Sequence, residues 1–317
     1  MNLLMISDTL ASMIRIATPL MLMALGGLLC QRAGVFNIAL EGFALIGAFT
    51  SVAVVQITGG SVILGMAGAA VAGIIYSLIF GLFVTKYRAD NIIASIAMNM
   101  LGLGITSFLL RAAFKVQGRL APARIDKLGL IEIPVIKNIP VINCLSGQSI
   151  ITYVTILISV LIYVILFKTK TGLAICAVGE SVEASKTAGI KPEQVRLKVI
   201  LVSGALSGLA GSYLSTVIVS QFSENMIQGR GFTAFTALVF GNAHPMWTGL
   251  VTLLFGLADA IGIRIELSGI NLSPSIIKMF PFLMAILAVA LSSYMTKLKR
   301  QGKRKHFILG KREERQN

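Results

Sequence analysis

Apolar runs close to 20 residues long follow one another along almost the whole chain, divided by short polar breaks. A bilayer core about 30 Å thick takes roughly 20 apolar residues per helix, so the repeat constrains the chain to a bundle of membrane-crossing helices. Composition agrees: the 317 residues are 56% hydrophobic and 13% charged, and mean hydropathy is +0.85. A soluble surface cannot be built from so few charges, which excludes the soluble globular and disordered classes. The expected fold is all-α and polytopic, with about nine or ten spans.

The runs lie near residues 10–30, 35–57, 62–85, 91–110, 150–167, 197–219, 247–265 and 275–294. The first lacks a basic start and is long enough to span, so it reads as a helix rather than a signal peptide. The formal net charge is +15, and nine Lys/Arg lie in the tail 297–317. Basic ends beside membrane helices orient a chain on the lipid surface, so the charge argues for membrane lipid and against nucleic acid. The tail is expected to be cytoplasmic, with Lys86, Arg88, Lys168 and Lys170 on the same side. The uncharged turn Thr58-Gly59-Gly60-Ser61 suits the outside.

Parity then requires the chain to return between Ser220 and Pro245. The apolar stretch 231–241 is short, roughly 16 Å as a helix, so a short or broken crossing buried in protein is expected near 229–245. That makes nine spans with the N-terminus outside. The segment 111–149 falls outside by parity despite its basic residues, and its Ile133-Pro134 and Ile139-Pro140 pairs suggest an ordered loop or short helices. The expected organisation is one transmembrane domain over 1–296 and a basic tail over 297–317.

The polar segment 168–196 is patterned beyond a linker. Ser181 can cap a short helix by accepting a backbone N–H. Glu183 falls in its first turn, where the dipole favours an anion, and Lys186 in its last. Gly189 can close it in the left-handed conformation, and Pro192 with Glu193 opens the next helix. The segment is either a solvated loop helix or a docking element.

Several stretches, in order, carry a resemblance. Arg32-Ala33-Gly34-Val35-Phe36-Asn37-Ile38-Ala39-Leu40-Glu41-Gly42 comes first, then 91–101 with Asn99. Thr171-Gly172-Leu173, Ala177-Val178-Gly179-Glu180, Ala184 and Ala188-Gly189-Ile190 follow, then Ser203 to Gly211. Last come Gly229-Arg230-Gly231-Phe232-Thr233-Ala234, Phe240-Gly241-Asn242, Pro245, Phe255-Gly256 and Asp259. Together these resemble the permeases of ATP-binding-cassette (ABC) importers for branched-chain amino acids, ribose and nucleosides. The Asn-Ile-x-x-Glu-Gly form is similar to the nucleoside and simple-sugar branch. Cys176 stands where that family usually has Arg, and Ala243-His244 replaces a more usual aromatic-bearing turn.

The resemblance implies a type II importer-like bundle whose short cytoplasmic helix docks on the ATPase. The coupling residues it implies are Gly179, Glu180, Ser181, Glu183, Ala184, Lys186 and Gly189. It implies an ABC ATPase subunit, a second permease chain (a paralogue or another copy) and an extracellular solute-binding protein or lipoprotein, in a prokaryotic cell membrane. The function implied is import of a small polar solute, a nucleoside first and a simple sugar as the alternative, by alternating access. No Gly-x-x-x-x-Gly-Lys-[Ser/Thr] loop is present, so ATP and Mg are expected on the partner and no cofactor on this chain.

Polar residues inside apolar runs are the candidates for a path or for structural roles. An ionised Glu41 in a span is costly unless paired or wet, which leaves a structural carboxylate or a path residue. Asn37 lies four residues earlier and is expected on the same helical face. Asn99 reads as interhelical glue. Arg230 between glycines reads as an anchor for the broken helix. Asp259 is structural, with Arg264 a poorly spaced partner. His244 before Pro245 reads as a turn residue. Two histidines and the scattered Cys30, Cys144 and Cys176 argue against a metal site, a disulfide framework or catalysis. Gly204, Gly208 and Gly211 predict close helix approach. An ion-coupled secondary transporter is the main rival; its intramembrane carboxylates are few, and it leaves the capped helix without a role.

Overall fold

The computed structural model describes residues 3–126, 128–131, 142–267 and 279. Seven helices within them are long and apolar enough to cross a bilayer. In chain order the helices are α1 (Leu3–Arg32), α2 (Leu40–Ile57), α3 (Val62–Thr85), α4 (Asn91–Phe114), α5 (Ile150–Lys168), α6 (Lys170–Glu180), α7 (Val182–Thr187), α8 (Pro192–Ser212), α9 (Arg230–Phe240) and α10 (Pro245–Leu267). Helix α8 runs on as a π-helical turn over Tyr213–Ile218, marked by the Val219 N–H bonding to the Leu214 carbonyl. The expected span 275–294, the tail 297–317 and the two Ile-Pro pairs lie outside the described residues.

Helices α1, α2 and α8 form the centre, and α3, α4 and α5 lie around them. In the best window of α2, 72% of residues are buried, against 22% in α4. The outer helices present Ile, Leu, Val and Phe outward, as a lipid-facing surface requires. The centre is packed through small residues. A Cβ on Gly208 would meet the Ala69 carbonyl of α3, one on Gly204 would meet Ser77 and the Gly73 carbonyl, and one on Gly211 would meet the Ala44 carbonyl of α2. The glycine spacing read from the sequence therefore marks a backbone-to-backbone crossing of α8 with both neighbours. Hydroxyls finish this packing: Ser51 and Ser212 lie 2.6 Å apart, and Ser215 donates to the Ala48 carbonyl at 3.1 Å.

Helices α1 and α10 run antiparallel, since Gly256 abuts Ala17 while Gly249 abuts Met21. One end of the bundle gathers residues 32–34, the α3–α4 turn, α6, α7 and residues 241–244. The other gathers residues 58–60, the α4–α5 loop and the chain after α8. There the two-residue strand β1 (Arg119–Leu120) pairs with β4 (Phe222–Ser223), and β2 (Leu130–Ile131) pairs with β3 (Gln148–Ser149). Arg111 and Glu224 add an ion pair of 3.7 Å at the same end. The return expected after Ser220 is present: from β4 the chain descends to α9, whose far end reaches residues 241–244. The helix there is short, as the sequence predicted, and its 11 residues leave it outside the seven.

The start of α2 differs from the sequence reading for a local reason. Apolarity continues from Val35, but α2 begins at Leu40. Gly34 sits at φ +74°, which turns the chain, and the Asn37 carboxamide oxygen takes the Ala39 N–H at 3.0 Å. That local bond competes with helix formation. Asn37 is therefore not on a helical face with Glu41.

Candidate functional site

The segment after α5 is two helices rather than one. Thr169 accepts the Gly172 N–H at 3.2 Å and starts α6, an element the sequence reading left unassigned. Its signal was that threonine, placed as an N-cap before Gly172. Ser181 then ends α6 and caps α7, its hydroxyl accepting from the Ala184 N–H at 3.3 Å. Glu183 is in the first turn of α7 and Lys186 in the last. At the C-terminus the Ile190 N–H reaches the Ser185 carbonyl and the Gly189 N–H the Lys186 carbonyl, both at 3.0 Å, with Gly189 at φ +78°. This pair of bonds is the Schellman closure, which needs the left-handed residue that glycine supplies. Pro192 opens α8 with Glu193 in its first turn.

Only Ser185 of α7 is buried; Glu183, Ala184, Lys186 and Gly189 face outward, as do Glu180 and Ser181. Behind them, Val182, Glu183 and Lys186 border a cavity of about 440 Å³ shared with Thr85, Arg88 and Arg196. A six-residue helix closed at both ends is a rigid knob, and here its outer face is free to meet a partner.

What ties this knob to the bundle is the turn at residues 32–34. Gly179 of α6 packs so closely on the Arg32 carbonyl that a side chain there would collide with it. Arg196 of α8 donates from Nε to the Ala33 carbonyl at 3.1 Å. Arg32 donates from Nε to the Ala243 carbonyl at 2.7 Å and lies 5.7 Å from the centroid of the Phe167 ring. Sequence reasoning missed the roles of Arg32 and Arg196, because their partners are more than 160 positions away and nothing local names them.

The polar residues within the apolar runs are placed as follows. The Asn37 carboxamide donates to Ser203 Oγ at 3.2 Å, joining the turn before α2 to α8. Asn99 takes the Gly42 N–H at 2.8 Å and donates to the Ile38 carbonyl at 3.1 Å, so it ties α4 to the start of α2. Ser95, one turn earlier, accepts the Ile38 N–H at 3.1 Å. Glu41 Oε1 accepts the Gly229 N–H at 2.6 Å, at the N-terminal end of α9. Arg230 donates back to the Met226 and Ile227 carbonyls at 3.3 and 3.4 Å. The structure thus brings Glu41, Gly229 and Arg230 together, and puts Asn37 and Asn99 on either side of the residues leading into α2. Asp259 lies on α10, partly buried. His244 lies in the turn after α9, its ring 5.7 Å from Tyr163 and 5.2 Å from Phe167 between centroids.

Several of these side-chain bonds fall at helix ends, those of Asn99 and Glu41 among them. Residues 9–289 match the family model described as the permease component of the branched-chain amino acid transport system. The chain belongs to that permease family. It is 31% identical over 294 residues to the nucleoside ABC transporter permease protein NupC of Lactococcus lactis, covering 89% of this chain and 90% of that one. It is 35% identical over 284 residues to the guanosine ABC transporter permease protein NupQ of Bacillus subtilis, covering 86% and 88%. A putative glucose ABC transporter permease protein of Haloferax volcanii, TsgC13, is 27% identical over 267 residues, covering 83% and 79%. No solved structure matches the chain. This permease is a multi-pass membrane subunit of an ABC importer. Permeases of this family are transport subunits that work with an ATPase and a solute-binding protein.

Proposed function

We propose that this permease imports a nucleoside by alternating access, driven by a separate ATPase that grips α6 and α7. The observation that carries the reading is the exposed, doubly capped α7, fastened through Gly179 and Arg196 to the turn at residues 32–34. A stroke on α7 therefore enters the bundle at the junction of α1, α2 and α9. In this reading Gly179, Glu180, Ser181, Glu183, Ala184, Lys186 and Gly189 form the coupling contact. Asn37, Glu41, Asn99 and Arg230 fix the helix ends around the path, and Asp259 lies within α10 beside it.

The sides follow from charge. The α6–α7 end carries Arg32, Lys86, Arg88, Lys168, Lys170, Lys191 and Lys198, so it faces the cytoplasm with the basic tail, and the α4–α5 loop faces outward. The solute-binding protein settles on that loop. A second permease chain, a paralogue or another copy, completes the membrane unit of which residues 1–296 are one domain. ATP and Mg are handled by the ATPase, and this chain carries no cofactor.

The nucleoside assignment rests on the relatives named for nucleosides and guanosine and on Asn37-Ile38-x-x-Glu41-Gly42; a relative named for glucose supports the sugar alternative. The test is uptake by the complete reconstituted importer, offered radiolabelled guanosine, uridine or glucose. ATP-dependent nucleoside uptake that excess glucose does not compete supports the reading. Accumulation with the ATPase omitted refutes an ABC mechanism, and glucose uptake indifferent to nucleosides refutes the substrate.

A further inference from the structure

We propose that Arg32 is the positioning residue that passes the motion of α6–α7 to α9, so that α9 moves as a strut gripped by its two ends. The inference rests on the reading that α6–α7 receives an ATPase's stroke.

Helix α9 has only 11 residues. At about 1.5 Å per residue it spans roughly half of a bilayer core. A helix this short has little side surface to be pushed by, so its ends matter. At the C-terminal end the Arg32 guanidinium takes two carbonyls, Ala243 at 2.7 Å and Asn242 at 3.5 Å. Both of those residues sit in left-handed backbone, φ +47° and +50°. Two consecutive non-glycine residues keep that conformation only where surrounding groups hold them, and Arg32 is the side chain bonded to both. At the N-terminal end Glu41 takes the Gly229 N–H at 2.6 Å. A Cβ on Gly231 would lie 2.5 Å from the Glu41 nitrogen, so α9 is seated directly on the first turn of α2. The two grips match the helix dipole, with the anion at the N-terminus and the cation at the C-terminus.

Arg32 is also, with Gly34, a residue that α6 touches. Gly179 abuts its backbone carbonyl, while its side chain reaches α9. Arg32 therefore links α6 directly to the end of α9, with α5 joined through the contact of Phe167 with the guanidinium.

The test uses the complete importer in proteoliposomes and reads two rates, guanosine uptake and ATP hydrolysis, each per assembled complex. Arg32→Gln removes the charge-assisted bonds. The uptake-to-hydrolysis ratio is expected to fall about tenfold, the equivalent of one such bond, while the ATPase still co-purifies. Arg32→Lys keeps a cation that reaches one carbonyl, and is expected to lower the ratio about threefold. If uptake and hydrolysis fall together, or the ratio is unchanged in both variants, Arg32 merely supports the fold and the inference is overturned. Should Arg32→Gln fail to assemble, the ratio in Arg32→Lys decides alone. Wild-type uptake that needs no ATPase would overturn the reading beneath, and this inference with it.

Discussion

The bond from the Gly229 N–H to Glu41 separates a structural carboxylate from a carboxylate that carries protons or ions. Glu41→Gln keeps an acceptor oxygen at the same reach but removes the charge. Glu41→Ala removes both and leaves a half-buried N–H without its partner. A hydrogen bond to a charged group contributes about 1.5–3 kcal/mol, and an anion at a helix N-terminus about 0.3–1 kcal/mol more. Glu41→Ala is therefore expected to cost about 3 kcal/mol, and Glu41→Gln about 1 kcal/mol, in holding α9 to α2. Thermal unfolding of the purified complex in detergent, followed on one preparation scale, should rank wild type above Gln above Ala. Uptake at saturating ATP should follow the same order. If Gln and Ala unfold with wild-type stability while uptake collapses in both, the cap contributes nothing, and Glu41 acts on the moving solute or ion instead.

Gly211→Ala places a methyl against the Ala44 carbonyl and should sharply lower the yield of folded protein; Gly104→Ala, in open space on α4, should leave yield unchanged in the same fluorescence-detected chromatography. Gly189→Val forces a β-branched residue into φ +78° and undoes the closure of α7. It should lose co-purifying ATPase while still inserting in the membrane, and normal co-purification would count against the coupling role. The native cysteines report the topology. A membrane-impermeant maleimide should label Cys144 in intact cells and Cys176 only after permeabilisation, with Cys30 silent because it is fully buried. Burial pushes the Cys144 thiol above its ordinary pKa. Less of it is thiolate near neutrality, so its labelling should run slower than that of a free thiol and accelerate as pH rises; equal rates would refute the partly buried placement.

Much of this architecture was legible because its causes are local. Span length is set by lipid thickness, and the limits of α7 by Ser181, Gly189 and Pro192, each of which acts within a few residues. The glycines of α8 announced a close crossing, although not that it involves α2 and α3 together. Asn99 was readable as interhelical glue because a carboxamide in a span must find partners. What the sequence reading misjudged depends on distant groups. Hydropathy runs unbroken from Val35 into α2, so the turn at Gly34 and the Asn37 bond to the Ala39 N–H were hidden, and Asn37 was put on a helix. Arg32 and Arg196 were given no role of their own, since the carbonyls they hold are brought near only by the fold. The pairing of Arg119–Leu120 with Phe222–Ser223 involves strands too short to leave a pattern.

That last pairing has a mechanical consequence. The α4–α5 loop is stitched to the stretch that descends to Gly229, and the Glu224 N–H to the Gly118 carbonyl at 2.9 Å adds another stitch. A visitor pressing on the loop thus leans on the same lever whose opposite tip lies under Arg32, and the two faces of the membrane hold one handle between them.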